Sequence, residues 1–481
     1  MRRAKIVCTL GPATDTYDMI KAMVEAGMDV ARLNMSHGSH EDADRRYHMV
    51  RQAGDETRRA VAVLADLQGP KIRTGRFASG PVVLEPGDRF TITTRDVPGD
   101  RHEVSTTFEG LPRDVTVGDE LLLDDGKLVL TATEVTDTDV VTEVVIGGEL
   151  SDNKGINLPG TAVSVPALSE KDADDLRWAL RTRVDFIALS FVRSAADVED
   201  VHRIMDEEGV HLPVIAKIEK PQAVQNLHEI VDAFDGIMVA RGDLGVELPL
   251  EEVPLVQKRA IEIARRNAKP VIVATQVLDS MITNPRPTRA ETSDCANAVL
   301  DGADAIMLSG ETSVGKWPIK AIETMATIIE HSEDHGLDRI QPLGTLPHTT
   351  GGAVTRAAAE IAQLLDVKCM ITFTQTGDSA RRMARLRSSI PMLAFTPEPA
   401  TRSQLAMTWG VETFLTPLVE HTDDMVLQVD EALLAEQRLE RGDLVVIVAG
   451  SPPGTPGATN ALRLHRVGDA VQRSQRVQPG G

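Results

Sequence analysis

Eight short apolar runs, separated by amphipathic stretches of helical length or longer, constrain the fold of this chain most strongly. In chain order they are KIVCTL, DVARLNM, VAVLADL, VDFIALSF, PVIAKIE, GIMVARGD, PVIVATQV and AIMLSGE. Strands that are apolar along their length and alternate with helices are typical of a parallel sheet covered on both faces. A doubly wound open sheet would suit such runs, but the count of eight favours a closed (β/α)8 TIM barrel, an α/β fold.

One long interval, between the third and fourth runs, has a different character. Its segments PVVLEPGDRFTITT, DELLLDDGKLVLTATEV and VVTEVVIGGEL are rich in Thr and Val and are interrupted by Gly. They predict an all-β domain, residues 70–166, inserted into a loop that follows a barrel strand. Because barrel enzymes build their active sites from such loops, we expect this domain to act as a lid.

The remaining sequence divides into a barrel and a smaller C-terminal domain. The barrel is predicted to comprise residues 1–69 and 167–336, and HSEDHGLDRIQPLGTLPHTTGG reads as the linker that follows it. Residues 345–481 are predicted to form a second α/β domain, with strands at CMITFTQ, PMLAFT and DLVVIVAG. Helices are expected at AVTRAAAEIAQLL, between the linker and the first of these strands, and at ARRMARLRS, between the first and second strands.

Composition excludes several classes of function. The 481-residue chain has a formal net charge of −21 and only 3% aromatic residues, which disfavours nucleic acid or an anionic membrane as partner. Its three cysteines form no C-x-x-C pair, as expected in a reducing cytoplasm. The apolar part of MRRAKIVCTLGP is too short for a signal peptide, and no apolar run is long enough to span a membrane.

Polar residues gather where the predicted strands end. They are Arg32, Asn34, Ser36 and His37 at the second strand, Asp66, Lys71 and Arg73 at the third, Lys217 and Glu219 at the fifth, Arg241, Gly242 and Asp243 at the sixth, Thr275 and Gln276 at the seventh, and Ser309 and Glu311 at the eighth. One Lys-x-Glu at a strand end is ordinarily a surface ion pair. Because all barrel strands end at one face, however, the whole set predicts a shared site there.

The residue types in this set suit a phosphorylated substrate and a divalent metal. Glu219 and Asp243 offer hard oxygen ligands, and Mg²⁺ commonly takes one or two carboxylates and leaves its other positions to water and substrate. Lys217, which shares one side of its strand with Glu219, suits phosphoryl oxygens together with Arg32 and Arg73. The amides of Gly242 and Asp243, expected just before a short helix, could hold a carboxylate.

These residues lie in segments that closely resemble the pyruvate kinase family. The segments are ARLNMSHG, GPKIRTG, DNKGINLPG, AKIEKPQAVQN, VARGDLGVE, ATQVLDSMITNPRPTRAE and DGADAIMLSGETSVGKWP. The resemblance, to members of the bacterial type without an N-terminal extension domain, implies a barrel, a β lid and a C-terminal α/β domain. It also implies phosphoryl transfer from phosphoenolpyruvate to ADP, giving pyruvate and ATP at the last step of glycolysis, in a cytoplasmic homotetramer.

The resemblance assigns roles residue by residue. Glu219 and Asp243 would bind Mg²⁺ or Mn²⁺, Lys217 and Arg32 would contact the phosphoryl group, and Gly242, Asp243 and Thr275 would hold the substrate carboxylate. The expected nucleotide contacts are Asn34, His37, Arg73 and Lys154. Thr275 and Ser309 are both candidates for the proton path to the enolate, and the choice between them stays open.

One departure from the family pattern concerns K⁺, which many members require. The family's ligands would fall at Asn34, Ser36, Asp66 and position 67, where Leu67 offers no side-chain oxygen. Lys71 stands where K⁺-requiring members usually carry Glu. We hypothesise that the Lys71 ammonium replaces K⁺ and makes the enzyme K⁺-independent. The alternative is that Lys71 faces solvent and that K⁺ binds through the three retained ligands.

A second anion site is expected in the C-terminal domain. TFTQTGDSAR leads from a strand through a Gly turn into a helix, and Thr374, Thr376, Gly377 and Ser379 supply hydroxyls and amides there. The alternative is an ordinary helix cap. By resemblance this loop binds the phosphate of an allosteric effector. The later AGSPPGTPGATN lacks the Trp and Arg that hold a second phosphate in eukaryotic relatives, which favours AMP or a sugar monophosphate.

Two other functions would fit part of this pattern. Another Mg²⁺-dependent barrel that acts on an enolate, such as an aldolase or lyase, would not need Arg73, Lys154 or a lid for nucleotide phosphates. A catalytically inactive effector-binding protein should have lost Lys217 or a metal carboxylate, and both types of residue are present.

Overall fold

The computed structural model describes residues 2–161, 164, 166–455 and 457–471. Its first segment supplies three barrel strands and two outer helices. In chain order they are β1 (Lys5–Thr9), α1 (Tyr17–Ala26), β2 (Val30–Asn34), α2 (His40–Thr57) and β3 (Ala62–Asp66). Neighbouring strands are parallel, and Asn34 is paired with Asp66, so the last residues of β2 and β3 lie side by side.

The inserted segment forms a separate β domain with its own apolar core. Its elements are β4 (Val82–Leu84), β5 (Arg89–Thr93), β6 (Glu103–Ser105), α3 (Leu111–Asp114), β7 (Glu120–Leu123), β8 (Leu128–Val135), β9 (Asp139–Ile146), β10 (Gly148–Leu150) and β11 (Ile156–Asn157). A six-stranded sheet runs in the order β11-β7-β8-β9-β5-β6, and β10 pairs with β4. Fully buried Phe90 and Leu130 belong to its core, and alternation of buried and exposed residues along β8 leaves one face to solvent.

The second barrel segment completes the closed sheet. Its elements are α4 (Glu170–Thr182), β12 (Phe186–Leu189), α5 (Val198–Glu208), β13 (Val214–Ile218), α6 (Pro221–Gln225), α7 (Leu227–Ala233), β14 (Gly236–Ala240), α8 (Arg241–Glu247), α9 (Val253–Arg266), β15 (Val271–Ala274), α10 (Arg289–Asp301), β16 (Ala305–Leu308), α11 (Gly310–Ser313) and α12 (Pro318–Gly336). The barrel closes in the order β1-β16-β15-β14-β13-β12-β3-β2. All eight predicted runs form its strands, which confirms the TIM-barrel prediction.

The C-terminal domain is a five-stranded sheet with helices. Its elements are α13 (Thr350–Leu364), β17 (Cys369–Phe373), α14 (Asp378–Ala384), β18 (Met392–Thr396), α15 (Pro399–Gln404), β19 (Val411–Leu415), α16 (Thr422–Ala435), β20 (Leu444–Gly450) and β21 (Thr459–Arg466). The strand order is β19-β18-β17-β20-β21, with only β21 antiparallel to its neighbour among these strands. This confirms the predicted α/β class and adds β19 and β21 to the three predicted strands.

Two local features differ from the sequence-based expectation or supplement it. The predicted linker is partly helical, because α12 continues to Gly336 and its buried Glu333 accepts hydrogen bonds from the amides of Arg3 and Ala4. Short 3-10 turns lie at Pro12–Thr14, Ala195–Asp197, Asp279–Ile282, Leu337–Arg339 and Leu405–Met407.

The C-terminal domain packs against the amino ends of the barrel strands. Ala406 and Met407 belong to the apolar cluster that fills the barrel interior. Lys5, the first residue of β1, donates to the carbonyl of Val411 at 2.9 Å. This domain therefore lies opposite the face at which the strands end. Within the part of the chain described by the structure, no helix combines the length and apolar character needed to cross a membrane.

Candidate active site

Lys217, on β13, lies at the centre of a cluster of charged groups where the barrel strands end. Its Nζ lies 3.3 Å from Asp66 Oδ1 and 3.0 Å from Glu219 Oε1, and it donates to Ser190 Oγ at 2.7 Å. Burial disfavours the ammonium, but the carboxylates of Asp66 and Glu219 outweigh burial and raise the pKa of Lys217. The side chain is therefore a fixed cation at neutral pH.

Arg32, on β2, adds a second cation beside Lys217. Its Nε donates to Asp66 Oδ2 at 2.6 Å, and its Nη1 donates to Thr9 Oγ1 at 3.0 Å. Burial opposes the charge on Asp66, but Arg32 and then Lys217 lower the pKa of that carboxyl. Asp66 thus holds both cations at one barrel mouth, and in this structure it serves as their shared counterion.

Glu219 and Asp243 suit a divalent metal. Glu219 is 1% exposed; its Oε2 accepts from the amide of Phe191 at 2.7 Å, whereas its Oε1 makes only an ion pair, with the Lys217 ammonium 3.0 Å away, and accepts no hydrogen bond from the described residues. Burial raises the pKa of Glu219, Lys217 opposes that rise, and the negative charge of Asp243 adds to it. A buried carboxylate that lies near a second carboxylate, with one ammonium partner, would be stabilised further by a hard cation.

The number of carboxylates limits what kind of metal could bind. The described residues contain no group of three or more His, Cys, Asp or Glu side chains arranged to hold a metal. A site built on two carboxylates would therefore depend on water and substrate for its remaining ligands. Mg²⁺ tolerates this arrangement, since it binds through one or two carboxylates and substrate phosphates.

Gly242 and Thr275 are brought into direct contact. The amide of Gly242 donates to Thr275 Oγ1 at 2.7 Å, and that hydroxyl donates to the carbonyl of Ala274 at 2.6 Å. Gly242 and Asp243 were expected just before a short helix, but α8 begins at Arg241, so both lie within its first turn. Arg241 supports the same corner, because its Nη2 donates to the carbonyl of Thr275 at 2.8 Å.

The backbone is strained at the same face of the barrel. Thr275 and Gln276 have φ values of 70° and 54°, and Phe191, which follows β12, has a φ of 56°. Left-handed φ is unusual for non-glycine residues and most costly for a β-branched one such as Thr275. Such strain persists only where surrounding contacts overdetermine it, and here it turns the Thr275 hydroxyl towards Gly242.

Ser309 follows β16 and carries a hydroxyl without a partner. Its Oγ is buried and makes no hydrogen bond within the described part of the chain, although its amide donates to Glu311 Oε2 at 2.7 Å. Glu311 also accepts from the amide of Leu278 at 3.1 Å. Burial raises the pKa of Glu311, and these amides oppose the rise. Glu311 therefore shapes the loops after β15 and β16.

Asn34, Ser36 and His37 form a turn directly after β2. Asn34 Oδ1 accepts from the amide of Ser36 at 3.1 Å, and His37 is exposed. Lys171, on α4, donates to the carbonyl of Met35 at 2.6 Å. The turn is therefore anchored from both sides, beside Asp66.

Arg73 and Lys154 lie next to each other in the lid. An antiparallel bridge joins Arg73 to Gly155, and the amide of Thr74 donates to the carbonyl of Lys154 at 2.8 Å. Arg73 Nη1 donates to the carbonyl of Asn153 at 3.1 Å, and Lys154 Nζ lies 2.8 Å from Asp124 Oδ1. Both cations thus contact groups of the lid itself.

Lys71 faces the lid. Its Nζ lies 3.8 Å from Asp125 Oδ1, and its side chain runs against Gly155. The ion pairs of Asp66 are made with Arg32 and Lys217 instead. Replacement of K⁺ by Lys71 therefore requires its flexible side chain to adopt another rotamer, and the hypothesis stays a prediction.

A polar contact joins the lid to the barrel. Asn157, on β11, donates to Glu247 Oε1 at 2.8 Å, and Lys220 Nζ contacts the same oxygen at 2.5 Å. Glu247 is 5% exposed, and the Lys220 ammonium lies 5.6 Å from the ring centre of Phe191. The contact connects the lid to loops after β12, β13 and β14.

The loop expected to bind an effector lines a cavity of the C-terminal domain. Thr374 Oγ1 accepts from the amide of Gly377 at 2.9 Å, and Ser379 Oγ lies 2.6 Å from Thr459 Oγ1. Thr376 is exposed at the rim. The Asp378 carboxylate, unfavourable for an anion, accepts from Arg382 Nε at 2.6 Å. Its negative charge is therefore offset within α14.

Sequence reasoning missed several residues that complete the site. Ser190 donates to the carbonyl of Leu67 at 2.7 Å and thereby orients the oxygen that Lys217 contacts. Thr9 Oγ1 similarly accepts a hydrogen bond from Arg32. Ser190 directly follows β12, and Thr9 is the last residue of β1. The polar residues at the ends of these two strands could therefore have been identified in the same way as those of the other strands. No local signal marks Asn157 or Glu247, because their contact crosses two domains.

Comparisons with known proteins agree with this architecture. Residues 1–322 match the family described as "Pyruvate kinase, barrel domain", and residues 352–465 match "Pyruvate kinase, alpha/beta domain". Pyruvate kinases of Mycobacterium intracellulare and Corynebacterium glutamicum are each 60% identical over 97% of this chain, covering 99% and 98% of their own lengths. The pyruvate kinase of Geobacillus stearothermophilus is 43% identical over 99% of this chain and 82% of its own length.

A solved structure shows the same fold. The crystal structure of a pyruvate kinase from Cryptosporidium parvum superposes with a TM-score of 0.91 at 34% sequence identity, covering 97% of this chain and 96% of the other. Family matches over both domains, and relatives 60% identical along nearly the whole chain, lead to one conclusion. The chain belongs to the pyruvate kinase family and is a phosphotransferase of that type.

Proposed function

We propose that this chain transfers the phosphoryl group of phosphoenolpyruvate to ADP in a reaction that requires Mg²⁺ or Mn²⁺, giving pyruvate and ATP as the last step of glycolysis. One observation carries the proposal: two fixed cations, Lys217 and Arg32, share the counterion Asp66, and Lys217 is also paired with buried Glu219, a candidate metal ligand. Phosphoryl transfer depends mainly on positioning and charge neutralisation, which such a cluster supplies.

Lys217 and Arg32 would donate hydrogen bonds to the oxygens of the phosphoryl group during its transfer. Their contacts with Asp66, Ser190 and Thr9 hold them before substrate arrives, so little reorganisation is needed as charge develops. Glu219 and Asp243 would hold the divalent cation, which when bound neutralises phosphate charge as a Lewis acid. The amides of Gly242 and Asp243 and the Thr275 hydroxyl would receive the substrate carboxylate.

Nucleotide phosphates would contact Arg73 and Lys154 of the lid, with Asn34 and His37 nearby. Both lid cations would exchange their present partners for phosphate oxygens. The enolate left by phosphoryl transfer needs one proton. Thr275 and Ser309 are the candidate positions on its path, and the unpartnered Ser309 Oγ is free to hold a water or a substrate oxygen.

The first experiment measures pyruvate formation by the purified chain from phosphoenolpyruvate with Mg²⁺, with and without ADP. We expect formation of pyruvate and ATP in equal amounts, and only with ADP. Release of pyruvate that does not depend on ADP would favour the alternative of an enolate-forming lyase. No turnover would favour an inactive effector-binding protein.

We also propose that turnover is independent of K⁺. By resemblance, Lys71 stands where K⁺-requiring members usually carry Glu, and Leu67 offers no side-chain oxygen at the position of another ligand. The test compares rates in K⁺- and Na⁺-free Tris buffer with rates after K⁺ addition, for the natural chain and for Lys71→Glu. We expect equal rates for the former and strong K⁺ activation for the latter. K⁺ activation of the natural chain would refute the role of Lys71.

Regulation and assembly complete the proposal. The loop of Thr374, Thr376, Gly377 and Ser379 would bind the phosphate of an allosteric effector, with AMP or a sugar monophosphate favoured, in a cytoplasmic homotetramer. Its support is the pair of facing loops, 374–379 and 450–459, that line one cavity. Activation by AMP or glucose 6-phosphate that is lost in Thr376→Val/Ser379→Ala would support it, and light scattering would give the oligomeric state.

A further inference from the structure

A cavity lined by several arginines lies at the junction of the barrel and the C-terminal domain. Its volume is about 1420 Å³, and its walls come from the ends of α9 and α12, the linker at 342–349, α13 and α14. The arginines on its walls are Arg3 and Arg266 from the barrel and Arg356, Arg382, Arg385 and Arg387 from the C-terminal domain, of which Arg387 is paired with Asp304. Such a concentration of guanidinium groups is unexpected in a chain of net charge −21.

Most of these arginines have a carboxylate partner, but Arg385 has none. Arg356 pairs with Glu360, Arg266 with Glu262, and Arg382 with Asp378. Among the described residues, no carboxylate lies within ion-pair distance of Arg385. Its Nη1 donates to the carbonyl of Arg266 at 2.8 Å, and its Nε is buried without a hydrogen-bond partner.

The surroundings of Arg385 add positive charge. Burial lowers its pKa, and the like charge of Arg382 lowers it further, whereas Asp378 opposes the shift. Arg265, just behind the cavity wall, also lacks a carboxylate partner among the described residues, and its Nη2 donates to the carbonyl of Arg385 at 3.2 Å. Arg385 further lies against Gly352, in the first turn of the fifteen-residue helix α13, where the helix dipole is positive.

No acidic residue that lines the cavity lies within ion-pair distance of Arg385. Buried Glu333 is bound by the amides of Arg3 and Ala4, and Glu360 is occupied by Arg356. Asp334 and Asp338 are exposed, on the end of α12 and the turn after it. The wall at Arg385 therefore presents a guanidinium without a carboxylate partner among the described residues.

We propose that this cavity is a binding site for a phosphorylated small molecule, separate from the loop at 374–379. Arginine forks match phosphate oxygens in pairs, and the volume exceeds the usual 300–1,000 Å³ or so of a ligand pocket. Helix α14 separates the two sites. Asp378 and Ser379 line the loop cavity, whereas Arg382 and Arg385, further along the helix, line the interdomain cavity.

The geometry also links the two sites. Arg382 reaches from the interdomain cavity to Asp378 at 2.6 Å. A phosphate bound by Arg382 and Arg385 would compete with Asp378 for the Arg382 guanidinium. The Asp378 carboxylate, beside the loop at 374–379, would then be less well neutralised. Because Arg266 belongs to the barrel and Arg385 to the C-terminal domain, the ligand would also connect the two domains.

The test titrates inorganic phosphate into the full chain without divalent metal, by isothermal calorimetry. Arg385→Gln and Arg266→Gln remove one guanidinium from each domain. Arg259→Gln is the matched control, because Arg259 is exposed on α9 outside the cavity. Thr376→Val/Ser379→Ala disables the loop site. Circular dichroism and melting temperature check that each variant is folded, and Arg356→Gln, whose side chain is 40% exposed, replaces any variant that is not.

We expect a phosphate-binding phase that the control and the loop variant retain and that both cavity variants weaken at least tenfold. Arg385→Lys should weaken it less than Arg385→Gln, because the charge remains while the fork is lost. Identical isotherms for the natural chain and both cavity variants would overturn the proposal. So would loss of the phase in the loop variant alone, or no phosphate binding that the cavity variants change.

Discussion

At the scale of single residues, Lys217 shows how burial and pairing set a charge. Water is excluded from this side chain, which is 12% exposed, and that alone would favour the neutral amine. Two carboxylates within 3.3 Å reverse the preference. The same contacts make the lysine structurally important, since Asp66 and Glu219 are each 1% exposed and would be costly to leave without a cation.

Lys217→Met should affect catalysis and stability together. Loss of a preorganised cation at the transferring group is expected to lower kcat by about 10²–10³. Loss of the partner of two buried carboxylates is expected to lower the free energy of unfolding by about 3–5 kcal/mol. Steady-state kinetics and urea unfolding measure the two effects.

The matched control for this substitution is Ser190→Ala. It removes only the hydroxyl that accepts from Lys217 and leaves both ion pairs. We expect its kcat to fall less than that of Lys217→Met, by about tenfold, because the ammonium and its ion pairs remain while one hydrogen bond to a charged group, which contributes about 1.5–3 kcal/mol, is lost together with the bond to the Leu67 carbonyl. A Lys217→Met enzyme with kcat within tenfold of the natural chain would contradict the proposed role of the ammonium.

At the scale of elements, the contact between β11 and α8 determines how the lid meets the barrel. Asn157 and Lys220 approach the same oxygen of Glu247 from opposite domains. Lid and barrel otherwise have separate apolar cores. Polar contacts of this kind can break and re-form at little cost, which suits a lid that must admit a nucleotide.

Asn157→Ala should loosen the lid without unfolding either domain. A hydrogen bond to a charged group contributes about 1.5–3 kcal/mol, so we expect the KM for ADP to rise by about tenfold or more, with a smaller change in kcat. Hydrogen exchange should become faster at β11 while β8 and β9 stay protected. Glu149→Gln, at an exposed position on β10, is the control, and equal kinetics for both variants would argue against the contact.

At the scale of the whole molecule, the C-terminal domain is joined to the barrel through a buried ion pair. Arg387 Nη2 lies 2.9 Å from Asp304 Oδ2, with the two side chains 2% and 6% exposed. Asp304 also accepts from the amide of Trp409 at 3.1 Å, and the Arg387 guanidinium lies 4.9 Å from the Trp409 ring centre. Barrel and C-terminal domain should therefore unfold together.

Arg387→Leu tests this cooperativity. Removal of one member of a buried pair costs about 3–5 kcal/mol, because Asp304 stays buried without its cation. We expect a lower melting temperature and a calorimetric transition that splits into two. Arg463→Gln, an exposed arginine of β21 that pairs with exposed Asp423, should change neither, and a single unshifted transition for Arg387→Leu would refute the prediction.

The reactivity of the three cysteines would test how tightly the interior of the molecule is packed. Cys8, Cys295 and Cys369 are all buried, and burial raises the pKa of Cys295 and of Cys369 to about 12. The thiolate fraction at pH 8 should fall about a thousandfold relative to an ordinary thiol. An aromatic disulfide reagent should therefore label the native chain very slowly and label three thiols in denaturant. Rapid labelling of any thiol in the native chain would contradict this.

Most of the fold could be predicted from residue patterns in the sequence. Each of the eight barrel strands lies inside a predicted run, since a strand buried on both faces must be apolar along its length. The linker sequence was taken to start too early, at His331, because the helix end HSEDHG is polar in sequence and is held through Glu333 by the distant amides of Arg3 and Ala4. The domain limit at residue 336 stays a prediction. β19 and β21 also escaped prediction, since mixed polar and apolar residues at a sheet edge resemble a loop.

The amino-acid sequence alone determined the barrel, the inserted β domain and the set of charged groups at the strand ends, because periodicity and strand polarity are local properties. It did not determine which charges meet. That Lys217 faces Asp66 and Ser190, that Lys71 turns to Asp125 in the lid, and that Asn157 reaches Glu247 follow from three-dimensional packing. The interdomain arginine cavity is of the same kind. Its arginines are spread from Arg3 to Arg387, and only the docking of two domains, driven by burial of apolar surface, brings their charges together.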